Sequence, residues 1–273
     1  MYSISLKALT IPTLLRCIAL PTLALGLAVP AMAQSAAEKG LEIATKMNRQ
    51  DDGFGDTKAA MTMTLINRSG KESKRSIRAL TLEVPGDGDK SLSIFDNPAD
   101  VKGTASLSYS HATDPDEQWL YLPALKRVKR ISSKNKSGPF MGSEFAFEDI
   151  SSQEVEKFTY EFLGEETLDG VATLKMESRP AYKYSGYTRL VNWVDAEKYV
   201  LLKTEFYDRK DALLKTLKVT DYEQYLGKFW RPGRMEMVNE QTGKKTILVW
   251  SDYEFQSGLS EKDFTSAALK RLR

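Results

Sequence analysis

Residues Lys157–Ser178 read KFTYEFLGEETLDGVATLKMES. Phe158, Tyr160 and Phe162 alternate with polar neighbours, Leu168-Asp169-Gly170 supplies a tight turn, and Val171–Ser178 returns with Ala172, Leu174 and Met176 set inward. A period of two on both sides of an Asp-Gly turn is a β-hairpin. Downstream, Tyr187–Val194, a turn at Asp195–Lys198 and Tyr199–Tyr207 form a second hairpin. Leu213–Tyr222, Arg234–Asn239 and Lys245–Tyr253 then form a meander, the last two joined through Gln241-Thr242-Gly243. Upstream, Ala60–Asn67 alternates Met61, Met63 and Leu65 with threonines, and Ser76–Val84, Ser91–Phe95 and Ser106–Tyr109 repeat the pattern. Sequential hairpins give an antiparallel sheet, and one of about ten or more strands must curl or close.

Two helices are expected. In Ala36–Arg49, Ala37, Leu41, Ala44 and Met47 recur at helical spacing before the turn-rich Asp51–Asp56, DDGFGD. Leu259–Leu272 has a capping-box-like start at Ser260–Asp263 and an apolar set of Phe264, Ala267, Ala268 and Leu272. The class is thus mainly β (α+β): a strongly curved antiparallel sheet, closed as a filled barrel or left as a half-barrel with helices over its open side.

The stretch Gln118–Ile150, QWLYLPALKRVKRISSKNKSGPFMGSEFAFEDI, carries the strongest functional signal. Trp119 and Tyr121 fall on one face of a strand and Leu120 and Leu122 on the other, so both faces are apolar. Lys126, Arg127, Lys129 and Arg130 follow as a basic strand, and Ser137-Gly138-Pro139 introduces an irregular segment with Phe140, Met141, Phe145 and Phe147. Adaptable Met and aromatic side chains beside a cationic rim suit an amphiphile. The same alternation of Met61, Met63 and Met176 with aromatic residues is also that of ordinary core. The basic run is a solvated strand face, a contact for an anionic head group or membrane surface, or a dock for an acidic partner.

WLYLP, RVKRI and SGPFMGSEFAFEDI, together with Pro98–Tyr109 (PADVKGTASLSY), resemble the LolA-like outer-membrane lipoprotein-sorting family of periplasmic proteins, in the branch found with RND-type transporters. The resemblance implies an incomplete β-barrel with helices as a lid over an apolar cavity. The lid would draw on Ala36–Arg49, the Glu144–Glu154 region and the C-terminal helix. It also implies a non-enzymatic carrier of a lipid or lipid-modified protein, partnered by an inner-membrane RND-type transporter and touching membranes transiently. Met61, Met63, Trp119, Tyr121, Phe140, Met141, Phe145, Phe147 and Met176 are the candidate lipid contacts. Arg78, Lys126, Arg127, Lys129 and Arg130 are candidates for a head group or partner. Arg78 is a candidate for the family's cavity arginine by its position in an early strand, although no surrounding motif matches. The alternative is an adaptor of an envelope transporter whose groove is only core.

The first residues read as a secretory signal peptide: Lys7 and Arg16 precede an apolar run from Cys17 to Val29, and Ala31-Met32-Ala33 is a cleavage site before Gln34. Pro21, Gly26 and Pro30 interrupt that run, which falls short of the roughly 18–20 residues of a spanning helix. Cleavage after Ala33 leaves one domain, residues 34–273, placed in the periplasm and without cysteine, so no disulfide is available. Of 39 basic residues, removal of Lys7 and Arg16 leaves 37 against 37 acidic ones. A near-neutral chain argues against a nucleic-acid partner.

Other chemistry has thin support. Asp51–Asp56 lacks the alternating oxygens and terminal Glu of a calcium loop. His111 is the sole histidine, which excludes a His cluster for zinc, and no nucleotide-cofactor motif occurs. Glu144, Glu148 and Asp149 are the carboxylates that a hydrolase reading would use.

Overall fold

The computed structural model describes residues 34–271; the expected leader, residues 1–33, lies outside the described residues. Among the described residues one α-helix, α1 (Ala36–Arg49), precedes thirteen strands. They are β1 (Asp56–Ile66), β2 (Glu72–Leu82), β3 (Lys90–Asn97), β4 (Ala105–Tyr109), β5 (Glu117–Leu122), β6 (Arg127–Ile131), β7 (Phe158–Leu168), β8 (Val171–Pro180), β9 (Tyr187–Asp195), β10 (Leu201–Asp208), β11 (Leu213–Tyr225), β12 (Phe229–Asn239) and β13 (Lys245–Phe255). All belong to one antiparallel sheet of order β6-β5-β4-β3-β2-β1-β13-β12-β11-β10-β9-β8-β7. The sheet is long and curved, and β6 and β7 are its two unpaired edges, so it is an open barrel. These edges follow one another in sequence, and residues 132–157 run from one to the other.

Register sorts the side chains into two faces. On the inner face Trp250, Met61, Ile77 and Phe95 form a transverse row over β13, β1, β2 and β3. On the outer face Leu80, Leu92, Leu107 and Trp119 form a row over β2 to β5. Both faces of β4 are buried, the outer one through Ala105 and Leu107 and the inner one through the small polar Ser106 and Ser108. The inner core holds Met61, Met63, Phe95, Leu190, Phe206, Met237 and Leu248, filled from the crossing segment by Phe140, Phe145 and Phe147.

Helix α1 begins in a capping box: Ser35 Oγ accepts from Glu38 N at 3.2 Å, and Ser35 N donates to Glu38 Oε2 at 2.8 Å. Its buried stripe is Gly40, Ile43 and Ala44, with Met47 packed alongside, whereas Leu41 is exposed. The expected stripe through Ala37 and Leu41 is corrected accordingly. Gly40 is the cause: a Cβ there would lie 2.9 Å from Glu161 N and 3.0 Å from Phe162 N, so its absence brings the helix against the β7 backbone.

The expected C-terminal helix is also corrected. Two short 3-10 turns, Glu261–Phe264 and Ala268–Lys270, flank an extended Thr265, and Leu272 lies outside the described residues. Phe264 and Leu269 both have no exposed surface, packed on the outer face with Leu92, Ile94 and Leu107. Five residues of α-helix would point them about 140° apart, so the break lets both insert. This segment therefore covers the outer face and contributes nothing to a lid.

Strand β12 starts at Phe229, five residues before its expected start at Arg234. Within the added stretch Pro232 pairs with Tyr222 while Asp221 adopts φ 58°. Gly233 fits there because a Cβ would lie 2.8 Å from Asp221 O.

Candidate functional site: two adjoining cavities under the helix end

After α1 the chain turns through Asp51–Gly55. Gly53 and Gly55, at φ 91° and 75°, donate their amides to Glu83 Oε1 and Oε2 at 2.6 and 2.7 Å. This clamp folds the turn over the inner face and buries Phe54. Two cavities lie beneath. One, of about 410 Å³, is walled by Val219, Tyr222, Trp230, Met235, Trp250 and Tyr253 from β11, β12 and β13. The other, of about 570 Å³, is walled by Phe158, Tyr160, Met176 and Asn192 and by the turns at 83–89 and 152–156. Met47, Asp51, Phe54, Asp89, Ser152 and Leu201 line both, so the two lobes adjoin.

The lobes differ in chemistry. In the first, burial raises the Tyr222 and Tyr253 hydroxyls well above their ordinary value, keeping them neutral. Arg231, its one basic wall residue, is paired with Asp51 and set over the Phe54 ring at 5.3 Å. Among the described residues, none that lines the second lobe is basic, and burial pushes Asp89 and Glu154 up to about 7. Nearby Lys157 is held by Asp116. The arrangement is an apolar, aromatic chamber opening beside a carboxyl-rich one.

The residues singled out from sequence do not converge there. Met176 lines the second lobe. Met61, Met63, Phe140, Phe145 and Phe147 are buried in the inner core, with Phe140 and Phe147 edge-to-face at 5.4 Å. Met141 is half-buried, and its carbonyl accepts from Arg75 Nη1 at 2.5 Å. Trp119 and Tyr121 lie on the outer face, Trp119 edge-to-face with Tyr109 at 4.9 Å. Arg78 shares the outer face with Tyr121 through the row Arg78, Ile94, Ala105, Tyr121, and binds both oxygens of Asp96 at 2.9 Å. Lys126, Arg127, Lys129 and Arg130 sit on or beside the β6 edge, where Arg130 pairs with Glu117; none lines either lobe.

Glu144, Glu148 and Asp149 anchor the crossing segment. Glu144 accepts from Asn239 Nδ2 at 2.7 Å; Glu148 accepts from Gly186 N, Ser185 Oγ and Tyr182 OH at 2.8, 2.9 and 3.1 Å. Asp149 accepts from Ala146 N, Tyr187 OH and Lys215 Nζ. His111 meets Asp87 at 2.7 Å. In the acidic run, Asp56 accepts from Ser257 and Gly258. Sequence reading missed Phe54, Tyr222, Trp230, Met235, Trp250 and Tyr253. The signal that would have found Trp250 is register, since it pairs with Met61 on the face already marked apolar.

A family profile described as "uncharacterized protein" matches residues 87–271. No curated protein matches the chain. Among solved structures, a domain assigned as an outer membrane lipoprotein-sorting protein from Vibrio parahaemolyticus is similar at 56% identity and TM-score 0.85, over 86% of this chain and 100% of that one. A DUF1329 family protein from Desulfovibrio piger is similar at 32% identity and TM-score 0.82, over 86% and 99%. A LolA superfamily protein from Nitrosomonas europaea shares the fold, at 21% identity and TM-score 0.68 over 84% and 98%.

Proposed function

For a chain that belongs to the LolA-like lipoprotein-sorting family, we propose the role of a periplasmic, non-enzymatic carrier that shelters a lipid or the acyl part of a lipid-modified protein and passes it towards the outer membrane. The observation that carries this reading is the aromatic lobe of Tyr222, Trp230, Met235 and Trp250 beneath α1, an apolar recess on the inner face of an open barrel. An acyl chain in water forfeits about 0.8 kcal/mol per exposed CH₂, so a recess of this kind stabilises a cargo that the aqueous phase rejects. Helix α1 and the turn at Asp51–Gly55 serve as the lid. Export would follow from the leader, cleaved after Ala33 to leave residues 34–273 as the working domain. Partnership with an RND-type transporter is supported by the sequence resemblance. The exposed basic edge at Lys126–Arg130 favours the adaptor reading, since it offers cations away from the cavity.

The test is to express the chain from Gln34, isolate it from an envelope-containing source without detergent, and extract it for lipid mass spectrometry beside a Trp250→Ala/Met235→Ala variant. A stoichiometric lipid or acylated peptide in the wild type, depleted in the variant, is the expected result. A lipid-free protein that also fails to bind a fluorescent fatty amphiphile overturns the carrier and leaves the adaptor.

A further inference from the structure

Glu154 is 8% exposed and lines the second lobe, yet its carboxyl makes no hydrogen bond or ion pair among the described residues. A carboxyl so enclosed, facing a cavity with no protein hydrogen-bond partner, is left to water or a ligand to answer. The fold crowds this group: a Cβ on Gly88 would lie 2.7 Å from Glu154 Oε1 and 2.5 Å from Ser110 C, so only glycine lets the 83–89 turn close on it. Asp89, the next residue, lines both lobes; among the described residues its carboxyl has one hydrogen bond, from Val84 N, and that is long at 3.4 Å.

The other charged groups facing the pair are already engaged or add to the negative field. Asp51 holds Arg231, Glu83 holds the Gly53 and Gly55 amides, and Asp87 holds His111 and Ala112 N. Lys157, the nearest cation, is held by Asp116, while Asp52 and Glu156 line the same lobe. With the lobe's charged wall residues all acidic and Lys157 already paired, an anionic head is disfavoured here. Resting on the carrier reading, we propose that the cargo is a single-chain amphiphile with a cationic amine head, its ammonium between Asp89 and Glu154 and its tail over Met235 and Trp250. The family's acyl-binding character does not specify this head; the second lobe's carboxyls do. An ammonium there draws both carboxyls, which burial raises to a pKa of about 7, to their ionised forms, so binding at neutral pH releases protons.

The experiment is calorimetric titration of residues 34–273 at pH 7 with dodecylamine, dodecanol and dodecanoate, each below its solubility or micellar limit, in two buffers of different ionisation enthalpy. Dodecylamine is expected to bind at least tenfold more tightly than the other two and to release protons. Asp89→Asn/Glu154→Gln is expected to abolish the preference, so that dodecylamine and dodecanol bind that variant equally, with Glu154→Gln alone intermediate. Equal binding of dodecanol and dodecylamine, or a preference that survives both variants, overturns the amine head and leaves the carrier standing. Failure of all three amphiphiles overturns the carrier reading and the head with it.

Discussion

Lys215 Nζ meets Asp149 Oδ2 at 2.5 Å, with side-chain exposures of 4% and 5%, so an ion pair ties the segment between the two sheet edges to β11 in a nearly dry setting. The ammonium also donates to Glu144 O at 2.9 Å and lies 5.1–5.2 Å from the Phe206 and Tyr187 rings. Removing one partner strands a buried charge, which costs about 3–5 kcal/mol. Lys215→Met and Asp149→Leu are each expected to lower the unfolding free energy by that amount, read as a lower urea midpoint at unchanged slope. The double variant should recover much of the loss, and a double-mutant cycle in urea checks it.

Gly40→Ala places a methyl 2.9 Å from the β7 backbone, where no flexible side chain can yield. The helix must move outward, at about 1–3 kcal/mol as in other overpacked contacts. Amide exchange should show lost protection in α1 with the sheet retained. Gly70→Ala, in a turn with open space around it but φ 82°, offers a contrast whose cost is local.

Trp250→Ala and Met235→Ala widen the aromatic lobe, whereas Trp119→Ala removes a ring from the outer face. Both classes destabilise the fold. Only the first should weaken binding of a fluorescent fatty amphiphile, by at least tenfold, or about 1.4 kcal/mol. Equal weakening by Trp119→Ala would move the site to the other side of the sheet.

Asp89 and Glu154 are raised from 3.8 and 4.5 to about 7 by burial. Between those values the folded protein holds protons that the unfolded chain has released, so their contribution makes stability fall as pH rises from about 4 to about 7, then level off. Glu154→Gln is expected to flatten that decline, gaining stability at pH 8 and little at pH 4. Thermal melts of wild type and variant across pH 4–8 measure it.

The hairpins of the second half were legible because Asp-Gly and Thr-Gly turns separate strands of plain alternation, and α1 was found with its full extent. Faces were harder. On β5 both faces are apolar, so alternation alone could not say that Trp119 looks outward while Gln118 reaches inward to Phe147 O at 2.8 Å. Phe140, Phe145 and Phe147 sit in a segment without periodicity, and nothing local distinguishes a residue that fills the barrel from one that lines a recess. The cavity residues Trp230 and Trp250 lie on adjacent strands β12 and β13, beyond the paired stretch, and share a wall with Phe54 from a turn about 180 residues earlier, a relation that no window of sequence contains.

The order of the strands has a kinetic meaning. Of twelve strand contacts, eleven join neighbours in sequence, and the remaining one, β1 with β13, sets Thr57 opposite Phe255. The molecule can therefore be regarded as two meanders, β1–β6 and β7–β13, each able to zip locally, that meet along a single seam. Closing a loop of nearly 200 residues is slow compared with hairpin formation, so folding should show a fast phase followed by a slower one in which the seam forms. Until its last strand is available, β1 exposes a bare edge. A chain that completed this sheet early would have only half of it.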